Sequence, residues 1–332
     1  MPMDSNNAKN PSRPMNRRPS PRFRPFNRAG LPLLLAFLTL AGLSPTAPAD
    51  AAGRVRIITS IPDLADMARE IGGTLVEAES LATGVEDPHG IPIKPSFLPK
   101  LGRADLLVLL GLENEHAYLP ALLDTCRNPR IQPGQPGYID TSRDIRPLEL
   151  PTTLSRSEGE VHPGGNPHYN LDPVLGRTIL QTLFEGMVRN FPQHEAAFRA
   201  GRDAYLRRLD ERIAAWKELA KPLAGLKFIS YHNHWPYLSE RYGLKYLGTI
   251  ELRHGIEPTA RHVAETIARM KTEGCRVVVR EPQFSDKVPN QIAAQAGAKV
   301  VTLAIMVGGV PQAKTYLDLI DYNLRALLDV SR

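Results

Sequence analysis

Nine histidines occur in this 332-residue chain, and their placement says more than their number. His89 lies in VEDPHGIPIKPS, where Pro88 and Gly90 bracket it in an irregular turn. His168 lies in GGNPHYNLDP, at the end of a Gly-rich stretch, and His232 and His234 lie in SYHNHWPYLSERYGL, one residue apart. Neutral imidazole is the commonest protein ligand for metals, and three or four nitrogen or oxygen donors at ~2.0–2.2 Å complete a tetrahedral Zn²⁺ shell. None of these histidines has the i, i+4 spacing of a His-Glu-x-x-His helix, so any site must be assembled from distant segments. Taken singly, each is an ordinary loop histidine. Convergence of three such loops at the carboxyl ends of parallel strands, or in a cleft between lobes, would make a metal centre.

The segments around them alternate short β-rich runs with helical patterns. RVRIITS, TLVEAESLA and DLLVLLG read as strands; PDLADMAREIG, KPSFLPKLGRA and NEHAYLPALLDTC read as helices. That rhythm predicts parallel β-structure with right-handed crossovers. Residues 130 to 170 are rich in Pro and Gly and read as turns and a surface loop. From Asp172 to about Lys221 the pattern is almost continuously helical, with Pro192 expected to kink or restart it. The β/α rhythm then resumes with GLKFISYH, LKYLGTIEL, CRVVVREP and AKVVTLAI as strands, and it closes on the helical QAKTYLDLIDYNLRALL. The fold class expected is α/β: two lobes, each a mostly parallel sheet flanked by helices, joined by a long rigid backbone helix, with the metal site in the cleft. The boundaries are 52–171 for the first lobe, 172–222 for the linking helix and 223–332 for the second lobe.

Residues 1–51 have a different character. A Pro/Arg/Asn-rich run, the apolar LPLLLAFLTLAGL and the small-residue TAPADAAG follow the order of a secretory signal peptide. The apolar run is too short to span a bilayer core of ~30 Å. Seven of the 41 Lys and Arg but only two of the 35 Asp and Glu fall in this segment, so the remainder is close to neutral. Its charge therefore argues against nucleic acid as a partner. The two cysteines, Cys126 and Cys275, fall in different lobes and in no Cys-x-x-Cys pair, so free thiols are expected and thiolate ligation has little support.

The exported chain resembles, over nearly its whole length, the metal-binding substrate-binding proteins of bacterial ABC importers for zinc and manganese, the ZnuA-like family. The resemblance rests on DPH at His89, NPHYNLDP at His168 and YHNHWPYLSERYGL. It implies that His89, His168 and His232 are metal ligands and that His234 is a residue of the cleft edge, with His234 as the alternative to His232 if the i, i+2 register is read the other way. The family's usual fourth ligand is an Asp after the last strand, but this chain reads VVTLAIMVGGVP, with Ala304 or Met306 where that Asp is expected. Glu281, in VVVREPQFSDK, is the nearest carboxylate by topology and takes the fourth place in the expected set, either as a ligand or as a group that fixes a ligand imidazole.

The resemblance further implies a periplasmic, monomeric receptor for Zn²⁺, with Mn²⁺ less favoured by three imidazoles. An ABC permease would be its partner, with room for a metallochaperone. Two other readings remain open on the residues. One is a zinc metallohydrolase with an open coordination position; the other is a manganese receptor or adhesin of the same fold. His162, in EGEVHPGG, is expected to be a solvated loop residue, His116 and His254 to lie near the cleft, and His194 and His262 to face solvent from helices.

Overall fold

The computed structural model describes residues 53–151, 162–252 and 255–332; the expected signal peptide and His254 lie outside them. The first sheet takes β1 (Val55–Thr59), β2 (Val76–Ser80), β3 (Leu106–Leu109) and β4 (Tyr138–Asp140), with α1 (Pro62–Gly72), α2 (Phe97–Arg103) and α3 (Leu119–Cys126) between them. All its pairings are parallel, in the order β2-β1-β3-β4. Every side chain of β3 is buried, as expected of a central parallel strand covered on both faces.

Two helices follow, α4 (Pro173–Asn190) and α5 (Glu195–Leu219). The second sheet comprises β5 (Lys227–Ser230), β6 (Lys245–Thr249), β7 (Val277–Arg280) and β8 (Lys299–Thr302), again all parallel, in the order β6-β5-β7-β8. Its helices are α6 (Pro236–Tyr242), α7 (Ala260–Glu273), α8 (Lys287–Ala296) and α9 (Tyr316–Ser331). The two sheets therefore share one strand order, and in each the order reverses between the two central strands. The carboxyl ends at such a reversal form a ready crevice.

Two features refine the sequence reading here. The helical span from 172 is interrupted at Pro192 as expected: this residue, which has no amide hydrogen to continue the ladder, sits in a short 3₁₀ turn, Pro192–His194. The chain reverses there, so α4 and α5 run antiparallel. Arg177 Nε donates to Asp210 at 2.6 Å, Arg202 Nη1 donates to Gln181 at 2.6 Å, and the Arg202 guanidinium lies 4.4 Å from the Phe184 ring. The long joining helix is thus α5 alone, packed on α1 and, further along, on α9, where Trp216 Nε1 donates to Asp321 at 3.0 Å. The second feature is β4, which the Pro/Gly-rich composition around it had marked as loop.

The two halves are fastened by buried polar bonds as well as by apolar packing. Asp63 of α1 accepts from the Val307 amide at 3.0 Å and from Asn170 Nδ2 at 3.1 Å, while Asp66 accepts from the Tyr316 amide at 2.9 Å. Arg241 of α6 grips Asp172, the N-cap of α4, with two bonds of 2.8 Å. Gly84, after β2, touches the loop beyond β8 so closely that a Cβ there would lie 2.3 Å from the Val307 carbonyl oxygen. Its φ of +94° also lies where L-residues are strained. Gly84→Ala is expected to destabilise the fold by about 2 kcal/mol or more, as strain and overpacking combine. Urea unfolding of the variant beside the parent checks this.

No helix of the described residues is long and apolar enough to cross a membrane. Cys126 and Cys275 are free thiols, the second buried against the start of β7.

Candidate metal centre

Each site histidine is held by its own stretch of irregular backbone. His89 lies beyond the end of β2, where the Asp87 side chain accepts from the His89 amide at 3.0 Å and its carbonyl accepts from Gly90 at 3.2 Å. His168 precedes α4, its amide donating to Asn166 Oδ1 at 3.0 Å. Asn166 Nδ2 in turn donates to Glu149 and to the Asn233 carbonyl, both at 3.0 Å, and Asn233 Nδ2 reaches the same Glu149 oxygen at 2.7 Å. Tyr237 of α6 completes this clasp by donating to the Asn166 carbonyl at 2.7 Å. The loop that carries His168 is thereby tied to the loop that carries His232 and His234.

The SYHNHW segment leaves β5 in a tight turn. The His232 carbonyl accepts from the His234 amide at 3.0 Å and from the Ser230 hydroxyl at 2.5 Å. A backbone bond from i+2 to i folds the chain sharply enough to aim both imidazoles the same way. Their ring centroids are 4.4 Å apart.

These loops bring His89, His168, His232 and His234 together, one ligand nitrogen from each lying within 4.8 Å of the other three. All four are buried, His234 completely. His234 is therefore a member of the cluster, not a residue of the cleft edge. The His89 and His168 Nε2 atoms are 3.1 Å apart. Zinc at ~2.0–2.1 Å from four nitrogens holds them ~3.3–3.4 Å apart, so the cluster is near tetrahedral size. Burial, and then the neighbouring imidazoles of His234, His89, His232 and His162, hold His168 well below the usual histidine range. At neutral pH it is therefore an uncharged imidazole, the form that binds a metal ion.

Glu281, the remaining member of the expected set, stands behind the cluster at the carboxyl end of β7. Its Oε1 accepts from Trp235 Nε1 at 2.7 Å and lies 3.4 Å from His234 Nδ1. Oε2 is buried with no hydrogen-bond partner among the described residues. Burial pushes its carboxyl up to about 8, against the opposing hydrogen bond from Trp235. Ala304 occupies a buried, apolar place where its backbone pairs with Asn323, so no carboxylate enters from the loop after β8 at that position.

Two groups emerge that the residue pattern did not single out in these roles. Glu251, two residues beyond β6, is buried and hydrogen-bonded to His232 Nδ1. A carboxylate at the end of the strand beside the histidine-bearing one is the signal that could have found it. His162, expected in solvent, instead lies with its ring 4.8 Å from His89, and His116 follows at 6.2 Å from His162.

Four imidazole nitrogens form a donor set for a borderline transition-metal cation. Four nitrogens are also the number that a tetrahedral shell requires. Two parallel-sheet lobes thus hold a cluster of four histidines that could bind a metal ion in the crevice between them. Residues 57–330 match the family model for ZnuA, the periplasmic component A of the zinc-uptake complex, and the chain belongs to that family.

Its relatives divide over the metal. The zinc-binding lipoprotein AdcA of Streptococcus pneumoniae is 24% identical over 283 residues, 83% of this chain and 55% of that protein, so the chain spans about half that relative's length. The iron-binding protein YfeA of Yersinia pestis is 25% identical over 312 residues, 90% of this chain and 95% of the relative. A crystal structure of ZnuA superposes with a TM-score of 0.71 at 26% identity, covering 84% of this chain and all of that one.

Proposed function

We propose that this protein is an extracytoplasmic zinc receptor that delivers Zn²⁺ to an ABC-type metal importer. The observation that carries the proposal is the buried four-histidine cluster. Its donors are all nitrogen, which suits Zn²⁺ and disfavours Mn²⁺, an ion that prefers carboxylate, carbonyl and water oxygens. In this reading His89, His168 and His232 bind the metal as the motifs imply, His234 takes the fourth position, and Glu281 stands behind it. The reading includes a signal peptide at 1–51, release into the periplasm, lobes at 52–171 and 223–332 about the helices of 172–222, and a permease that receives the metal.

Titrating the metal-free protein against a chromophoric chelator tests this. The expected result is one Zn²⁺ per chain, bound at least a hundredfold more tightly than Mn²⁺. Preference for Mn²⁺, or for Fe²⁺ over Zn²⁺, would sink the zinc assignment. Because the imidazoles must be neutral to bind, zinc affinity should also weaken as pH falls from 7 to 5.

A further inference from the structure

We propose that Glu251 and Glu281 are a pair of positioning residues that supply the negative charge the ligands of this site lack. The proposal rests on the zinc-receptor reading above and concerns what lies directly behind its ligands.

Four neutral imidazoles around a divalent cation leave two positive charges buried. A charge taken out of water is costly unless opposite charge lies close by. Where the family resemblance implies an Asp ligand, this chain has the buried apolar run Leu303, Ala304, Ile305 and Met306. The two carboxylates instead stand one bond further out, each at the Nδ1 of a different second-lobe histidine: Glu251 at His232, and Glu281 at His234 at 3.4 Å. Both are buried, Glu281 completely.

The arrangement does two things. A carboxylate at Nδ1 holds the hydrogen on that nitrogen, so the lone pair of Nε2 faces the cluster, and it makes the imidazole a stronger donor. The pair also places two potential negative charges against two positive ones without giving the cation an oxygen ligand. That keeps the inner shell all nitrogen while neutralising the whole, and it favours Zn²⁺ over cations that require oxygen.

Glu281 is itself fixed, by Trp235 Nε1 at 2.7 Å and by the His232 backbone amide. The histidines that follow the first sheet have a different arrangement, their Nε2 atoms facing each other at 3.1 Å. The second lobe therefore presents two oriented donors, each with a carboxyl group behind it, and the first lobe completes the shell.

The test uses Glu251→Gln, Glu281→Gln and the double variant in the full exported chain. Zinc affinity is read by chelator competition, coordination by the visible spectrum of the Co²⁺ form, and folding by thermal melting of the metal-free protein. Each single change is expected to weaken zinc binding by roughly 10–100-fold. The double change should weaken it further, the Co²⁺ band should keep its tetrahedral intensity, and the metal-free melting temperature should not fall. Should a glutamine variant fail to fold, Glu281→Met, an apolar residue of similar volume, replaces it with the same expected loss of affinity.

Unchanged affinity in both single variants overturns the proposal. So does collapse of the tetrahedral Co²⁺ band in Glu281→Gln together with its survival in His234→Ala, because that makes Glu281 a ligand. Failure of the unmodified protein to bind zinc sinks the receptor reading itself, whereas tight binding by the parent and by both glutamine variants sinks only this inference.

Discussion

His234→Ala is expected to weaken zinc binding as severely as His232→Ala, by a hundredfold or more in each case. Structural zinc sites with four ligands contribute about 10–16 kcal/mol, so one ligand in four is worth about 3 kcal/mol, and 3 kcal/mol is a factor of more than a hundred. The geometry treats the two residues alike. Both are buried, both point into the cluster from one turn, and both carry a carboxylate at Nδ1. Competition titration of the two variants beside His89→Ala decides the matter. Full affinity in His234→Ala, with loss in His232→Ala, would return the fourth position to Glu281 or to water.

The second large effect concerns the contact between the halves and depends on pH. Burial raises the Asp63 carboxyl to about 6, against the hydrogen bonds from Val307 and Asn170 that favour its charge. The group titrates near ~3.9 in the unfolded chain. Between pH ~4 and ~6 the folded state therefore holds a proton that the unfolded state has released, and the contribution of Asp63 to stability increases as pH falls through that window. A shift of about two units corresponds to at most about 3 kcal/mol.

Asp63→Ala removes the buried charge but leaves the Val307 amide and Asn170 Nδ2 short of an acceptor, at about 1–3 kcal/mol for each buried group left unsatisfied. At pH 7 the two effects oppose each other, and at pH 4 only the loss remains. The destabilisation by Asp63→Ala should thus grow by up to about 3 kcal/mol as pH is lowered from 7 to 4. Urea unfolding of the metal-free parent and variant across that range reads it directly. A difference independent of pH would show that Asp63 is ionised throughout.

Most of the frame was legible in the residues, for identifiable reasons. Pro62 opening and Gly72 closing an amphipathic run mark α1, and four consecutive apolar residues mark β3 as a strand covered on both faces. β4 escaped because it is three residues long with only Ile139 fully buried, too short for any period to show. A proline between two helical runs is compatible with a kink or a reversal, and only the packing of Phe184, Arg202 and Asp210 across the pair selects reversal.

At the site, the DPH and NPH motifs point to His89 and His168 through the family resemblance, since either turn taken alone reads as an ordinary loop. His234 was harder, since it lies beyond β5, where strand alternation no longer decides which way a side chain points. Glu251 escaped for a tertiary reason: its position at a strand end counts only once β6 is known to lie beside β5.

The shared strand order of the two sheets has one more implication. The sheets match, but the histidines do not occupy matching places in them: those of the first follow its outer strands, and those of the second follow a central one. Each sheet contributes two nitrogens, half a chelate that grips a cation weakly when alone. Affinity then reports the spacing of the two sheets as faithfully as it reports the ligands. Loosening the seam at Gly84 or Asp63 should shift the two pairs of imidazoles relative to each other and so degrade zinc capture, which makes the bound cation a ruler laid across the molecule.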